Sequence, residues 1–171
     1  MILWFSGISG AGKTTIATAL KFKLKKKFLH LDGDKFRKLF NDDLKYTLKD
    51  RNKNALRLIS FVKFLSDQKI NLIVSANLTS NKYRTWCKQN LKNFIHIFVD
   101  ANIEALKKRD YKDLYKNALK KKIKNVVGID IKFNKPKDVD LVISNNDSKK
   151  NFLKNVNKIL EHHKFKKIKI Y

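Results

Sequence analysis

Gly7-Ile8-Ser9-Gly10-Ala11-Gly12-Lys13-Thr14 satisfies the spacing G-x-x-x-x-G-K-[ST]. That combination of residue types binds phosphate. Glycines let the backbone curl so that successive N–H groups converge on one anion. A helix starting near the lysine adds the positive end of its dipole. Lys13 is spaced to reach the outer phosphates of a nucleoside triphosphate, and Thr14 Oγ to ligate Mg²⁺. The motif works only between a strand and a helix. The apolar run Ile2-Leu3-Trp4-Phe5 before it and Thr15-Ile16-Ala17-Thr18-Ala19-Leu20 after it supply both.

The rest of the chain alternates apolar runs with helical segments, which predicts an α/β fold with a mainly parallel five-stranded sheet covered by helices on both faces. The expected strands are residues 2–5, 28–31, 72–75, 95–99 and 141–143. The expected helices are 13–26, 35–40, 82–91, one from Ile103 and one over 147–162. A long amphipathic helix capped by Asp50 turns Leu56, Ile59, Val62, Phe64 and Leu65 inward. The basic segment 109–136 shows no strand pattern, and residues 165–171 read as a short edge strand. No repeat or linker divides the 171 residues, so a single domain is expected.

In open parallel sheets, ligands bind at the carboxyl ends of the strands. That rule gathers the phosphate loop, Asp32-Gly33-Asp34, the loop after Ser75 and the region of Asp100 into one crevice. Of the two aspartates, one can orient an acceptor hydroxyl and the other hold Mg²⁺-bound water. Thr14 and Asp34 are the metal candidates, with Asp32 on the substrate side.

Composition narrows the class. A 43% hydrophobic content with twelve Phe suits a folded globule, and no apolar run approaches the roughly 20 residues of a membrane span. The short apolar N-terminus leading directly into the phosphate loop is not built like a secretory leader. The lone Cys87 excludes an internal disulfide, so a cytoplasmic enzyme is expected. The formal net charge of +25 raises the question of nucleic acid. Only five of the 40 basic residues are Arg, and runs such as 23–27 and 120–124 lack interleaved aromatics, so specific nucleic-acid binding is not indicated.

The phosphate loop followed by Leu31-Asp32-Gly33-Asp34 and Arg37 resembles the adenylylsulfate kinase (APS kinase) family. Later blocks agree in order and spacing: Asp50-Arg51-x-x-Asn54 with Arg57, Phe98-Val99-Asp100, Arg109-Asp110-x-Lys112-x-Leu114-Tyr115-Lys116-x-Ala118, and Gly128-Ile129-Asp130 with Pro136. The resemblance implies transfer of the γ-phosphoryl of ATP to the 3′-hydroxyl of a small nucleotide bearing a mixed anhydride. It implies ATP binding by Ser9, Gly10, Ala11, Gly12, Lys13, Thr14 and Thr15, with Arg109 flanking the base. It puts Asp34 at the acceptor hydroxyl and Lys112 on the transferring group, in a lid over about 109–136. Arg37, Arg51 and Asn54 grip the acceptor nucleotide. A homodimer is implied as well.

Two departures bear on the acceptor. The family holds adenine between two rings; Tyr46 keeps one, whereas the other position reads Val126, ahead of Val127, Gly128 and Ile129. After the third strand the family's Phe-Ile-Ser-Pro becomes Asn77-Leu78-Thr79-Ser80, placing an amide near the acceptor. A smaller base with a terminal amidate suits these changes, as in the related branch that phosphorylates cytidine diphosphoramidate for capsule synthesis. Adenylyl sulfate is the alternative acceptor. A kinase for another small hydroxyl compound shares the loop but does not account for Arg51, Asn54 and Gly128-Ile129-Asp130 together.

Overall fold

The computed structural model describes residues 1–24, 27–41, 43–78, 80–110, 113–162 and 165. Its frame is one all-parallel sheet in the order β2-β3-β1-β4-β5, comprising β1 (Ile2–Ser6), β2 (Leu29–Asp32), β3 (Leu72–Ser75), β4 (Phe94–Asp100) and β5 (Leu141–Ser144). β1 lies at its centre and all five of its residues are buried. Side chains alternate across a strand, and both faces are apolar. Leu3 and Phe5 join a core with Ile16, Leu20, Ile97, Val156 and Ile159, while Ile2 and Trp4 join Leu58, Val62, Leu72 and Leu91 on the opposite face. The first core lies under α1 (Lys13–Lys23) and α7 (Lys149–Glu161), the second under α3 (Leu48–Asp67) and α4 (Asn81–Asn90). The remaining helices are α2 (Gly33–Lys38), α5 (Ile103–Arg109) and α6 (Leu114–Leu119). Among the described residues no helix is long and apolar enough to cross a membrane.

Several expectations are corrected. α3 begins one turn earlier than an Asp50 cap implies: Thr47 is the cap, its Oγ1 accepting from Asp50 N and donating to the Asp50 carboxylate. Leu56 and Phe64 face solvent instead of the core. The buried stripe of α3 runs through Ala55, Leu58, Ile59, Val62 and Leu65. At about 100° per residue, Phe64 lies two and a half turns past Ala55 and therefore on the far side. α1 stops at Lys23, short of residue 26. The basic segment holds α6 and an isolated bridge between Val127 and Ile131 but, among its described residues, no longer strand. Of the proposed edge strand over 165–171, only Phe165 lies within the described residues, and it is buried.

A histidine is sealed in the sheet. His96, on β4, is 0% exposed and pairs through Nε2 with Ser6 Oγ at 2.7 Å, while its Nδ1 has no partner among the described residues. Burial, aided by the nearby charge of Arg84, pushes the imidazole down to about 4. The folded chain keeps His96 neutral at pH values where the unfolded chain protonates it. Stability is therefore whole above about pH 6.5 and is lost as pH falls toward 4, by about 3 kcal/mol for this group. Urea unfolding between pH 7 and 4.5 should show that decline, and His96→Leu should flatten it whatever its absolute stability.

Candidate active site

The phosphate loop spans the turn from β1 into α1, and its backbone is fixed from outside. Gly12, the residue before α1, has φ 100°, and a Cβ there would come within 2.6 Å of Asn145 Nδ2 and 3.0 Å of the Phe152 ring. Only glycine allows both the left-handed conformation and that approach. Asn145, just past β5, donates from Nδ2 to the carbonyl of Ala11 at 2.8 Å. From α6, the buried Tyr115 donates from Oη to the carbonyl of Ser9 at 2.7 Å. In a trans peptide the N–H points opposite to the C=O. Holding these two carbonyls outward therefore turns the N–H groups of Gly10 and Gly12 the other way, toward an anion at the helix N-terminus.

Lys13 Nζ donates to the carbonyls of Gly7 and Ile8 at 2.8 and 2.9 Å. Burial lowers its ammonium to about 8, against the opposing pull of Asp34 and then Asp32; Arg51 lowers it further. A phosphate arriving here supplies the counter-charge that the lysine lacks.

Asp32 is the best-connected side chain in the crevice. Its Oδ1 accepts from the N–H groups of Asp34 and Lys35 at 3.1 and 3.2 Å, capping α2. Its Oδ2 accepts from Thr14 Oγ1 at 2.7 Å and Ser75 Oγ at 3.0 Å. These hydrogen bonds, outweighing desolvation, hold its carboxyl below the ordinary carboxylate range. The carboxylate hydrogen-bonded to Thr14 is thus Asp32 and not Asp34. With four donors on its two oxygens, Asp32 has no lone pair left over for a substrate hydroxyl. Asp34 points into solvent on the first turn of α2. Gly33 between them is needed for packing, because a Cβ there would meet Ala76 Cβ at 2.7 Å.

The arginines converge on one ring. The guanidinium of Arg37 lies 4.9 Å and that of Arg51 5.3 Å from the centre of the half-exposed Tyr46 ring. Arg37 is anchored on the carbonyls of Leu44 and Lys45, and Arg51 on those of Tyr46 and Asn125. Arg51 thereby ties the start of α3 to the loop 125–131. Asn54, one turn further along α3, is 8% exposed, and its Oδ1 has no partner among the described residues. Arg57 forms a two-pronged pair with Asp43 and lies over Phe40, which bolts α3 to the segment after α2.

Other expected site residues fall differently. Arg109 donates to the carbonyls of Asn145 and Asp147, beside the loop that clamps Ala11. Ser9, Gly10, Thr14 and Thr15 are exposed on the loop and the first turn of α1, whereas Ala11 is buried. Asn77 is half-buried after β3, but the Leu78 side chain is in the core and only its carbonyl is engaged, by Arg84. Val126 is 4% exposed within the first core cluster, so it cannot form a wall against a base. The reason is local: the Asp130 carboxylate accepts from the N–H groups of Asn125 and Val126 and rolls this loop inward. Gly128 (φ 94°) and Ile129 make the turn, with Gly128 beside the side chains of Ile8 and Ile103. Thr79 and Lys112 lie outside the described residues. Sequence reasoning missed Ser75, Asn145 and the grip of Tyr115. Ser75 and Asn145 each stand at the carboxyl end of a strand, the one available signal for them.

Among the described residues there is no group of three or more His, Cys, Asp or Glu that could hold a metal. Magnesium bound mainly by phosphates, water and one hydroxyl needs no such cage, and the exposed Thr14 carries a hydroxyl at the loop.

Comparison with known proteins agrees with this layout. The family model described as adenylylsulphate kinase matches residues 1–144. A cytidine diphosphoramidate kinase of Campylobacter jejuni subsp. jejuni serotype O:2 is 42% identical over 84% of this chain and 85% of its own length. An adenylyl-sulfate kinase of Buchnera aphidicola is 37% identical over 95% of this chain and 82% of its own. Among solved structures, the Mycobacterium tuberculosis APS kinase in complex with AMPPNP and APS superposes with a TM-score of 0.82 at 28% identity, covering 94% of this chain and 95% of that one.

Two outcomes are expected. Because Lys13 loses its proton near pH 8 in the free protein and must be cationic to hold a polyanion, ATP affinity should fall by up to about tenfold per pH unit above 8. Titration with a fluorescent ATP analogue between pH 7.5 and 9.5 measures this; a flat profile contradicts it. Val126→Phe should over-pack the core, costing about 2 kcal/mol, and lower the melting temperature by roughly 5 °C. A stable variant with improved use of an adenine nucleotide would show that the side chain faces the base.

Proposed function

The chain belongs to the adenylylsulphate kinase family, ATP-dependent phosphotransferases acting on a nucleotide hydroxyl, and from that premise we propose that it phosphorylates the 3′-hydroxyl of cytidine diphosphoramidate. The observation that carries the acceptor assignment is the half-exposed Tyr46 ring at the acceptor side with no ring opposite it at position 126. Tyr46 lies against two guanidiniums, and the position where the family resemblance calls for a second ring is Val126, folded into the core. One stacking face suits a pyrimidine better than a purine, since each base–aromatic stack is worth about 1–3 kcal/mol. The relative from C. jejuni, 42% identical, bears the corresponding name.

In this reading the loop N–H groups and Lys13 hold the β- and γ-phosphates of ATP. Thr14 Oγ1 holds the Mg²⁺ that neutralises charge on those phosphates. Arg37 and Arg51 present cationic forks to the acceptor's diphosphate. The Oδ1 of Asn54, without a partner among the described residues, and the amide of Asn77 would serve the N–H and oxygen groups of the acceptor's phosphoramidate end. Asp34, free of the bonds that saturate Asp32, orients the 3′-hydroxyl and takes its proton as the oxygen attacks Pγ and the bond to the leaving ADP oxygen breaks. Lys112 and Arg109 act from the lid side, on the transferring group and the ATP base. A homodimer is what the same resemblance implies.

Adenylyl sulfate is the second reading, favoured by the Buchnera relative that spans 95% of this chain. Equimolar cytidine diphosphoramidate and adenylyl sulfate, incubated with the protein, ATP and Mg²⁺ and followed by phosphorus NMR, separate the two. At least about tenfold faster 3′-phosphorylation of the cytidine compound is expected, as one lost stack allows. Preference for adenylyl sulfate overturns the acceptor assignment, and no 3′-phosphorylated product from either overturns the reaction.

A further inference from the structure

Thr14 can offer a lone pair to a cation only if its proton is directed elsewhere, and in this structure the proton goes to Asp32 Oδ2 at 2.7 Å. Asp32 does not stand alone. It pairs in register with Ser75 across the parallel β2–β3 ladder, and His30 lies two residues back on β2, on the same face as Asp32. Ser75 Oγ donates to Asp32 Oδ2 at 3.0 Å and lies 2.9 Å from His30 Nε2. Serine has one proton, and it is spent on Asp32. His30 Nε2 must therefore be the donor in the second bond, which fixes the tautomer with hydrogen on Nε2. The chain of donors runs in one direction, from His30 to Ser75 to Asp32, and Thr14 donates to Asp32 from the other side.

We infer that His30 and Ser75 are positioning residues for the metal-bearing hydroxyl. Through Ser75, the His30 imidazole holds the Asp32 carboxylate where it takes the Thr14 proton and leaves the Thr14 lone pairs facing the crevice for a divalent cation. The inference rests on the ATP and Mg²⁺ reading above. It goes beyond it by assigning a task to two side chains, one on the sheet-edge strand and one beside it, that the ATP and Mg²⁺ reading leaves without a role. Lone-pair arithmetic supports it. With Asp34 N and Lys35 N on Oδ1, Ser75 supplies the fourth donor that keeps Oδ2 from rotating away from Thr14. Burial also lowers the His30 pKa, which keeps the imidazole neutral and the donor in its assigned tautomer.

The test uses the whole chain and reads the Mg²⁺ dependence of nucleotide affinity. Dissociation constants for a fluorescent ATP analogue are measured in EDTA and in Mg²⁺, and their ratio is compared among wild type, Ser75→Ala, His30→Leu and His30→Gln. Gln places an amide donor near the position of Nε2. Ser75→Ala and His30→Leu should reduce the ratio by about tenfold while leaving the EDTA value within about twofold, and His30→Gln should restore it. A general structural defect would weaken both values together. Folded variants whose ratio matches wild type, or a His30→Gln as impaired as His30→Leu, overturn the inference. Should Ser75→Ala not fold, the two His30 variants on the edge strand decide the matter. A wild-type protein that binds the analogue in neither condition refutes the ATP reading itself, a different signature.

Discussion

A loop that binds phosphate through its N–H groups has to dispose of its carbonyls, and here that disposal shapes the neighbourhood. The carbonyls of Ser9 and Ala11 are held by Tyr115 and Asn145, side chains that arrive from opposite flanks of the loop. Each anchor needs its own support. Tyr115 is buried in the core beside Leu106, and Asn145 is fixed through its N–H to Asp100 and its carbonyl to Arg109. Gly12 must be glycine because Asn145 passes so close. The loop's shape is thus a property of β4, β5, α5 and α6 together, not of eight residues.

The same economy governs the acids. Asp32 and Asp34 are separated by one glycine, yet their surroundings differ completely. Asp32 is saturated with donors and its carboxyl is held low; Asp34 faces solvent at the mouth of the crevice. Hydrogen-bond capacity decides which of two neighbouring carboxylates can serve a substrate. Charge alone would not distinguish them.

Much of this was legible in the chain itself. The strands announced themselves as short apolar runs because both faces of the sheet are covered, and the phosphate loop because its glycines and lysine cannot be spaced otherwise. Asp32 was read from its place after a strand, Arg37 and Arg51 from motifs, and Tyr46 from the family resemblance. What failed to show was anything decided by a particular hydrogen bond or by the phase of a helix, and not by residue type. Val126 reads as an exposed site position until the Asp130 carboxylate is seen gathering its N–H and turning it inward. Leu56 and Phe64 belong to an apolar-looking helix, and only the phase of the stripe reveals their exposure. A serine at a strand end or a histidine beside it carries no pattern, so the bonds of Ser75 and His30 are visible only once β2 and β3 are paired.

Tyr115 sits on the segment that the family resemblance makes the lid, and its hydroxyl is hooked over the floor of the nucleotide site. Cover and floor are therefore not independent parts. A shift of α6 pulls on the carbonyl whose orientation sets the direction of the Gly10 N–H, so the helix and the loop behave as one mechanical piece.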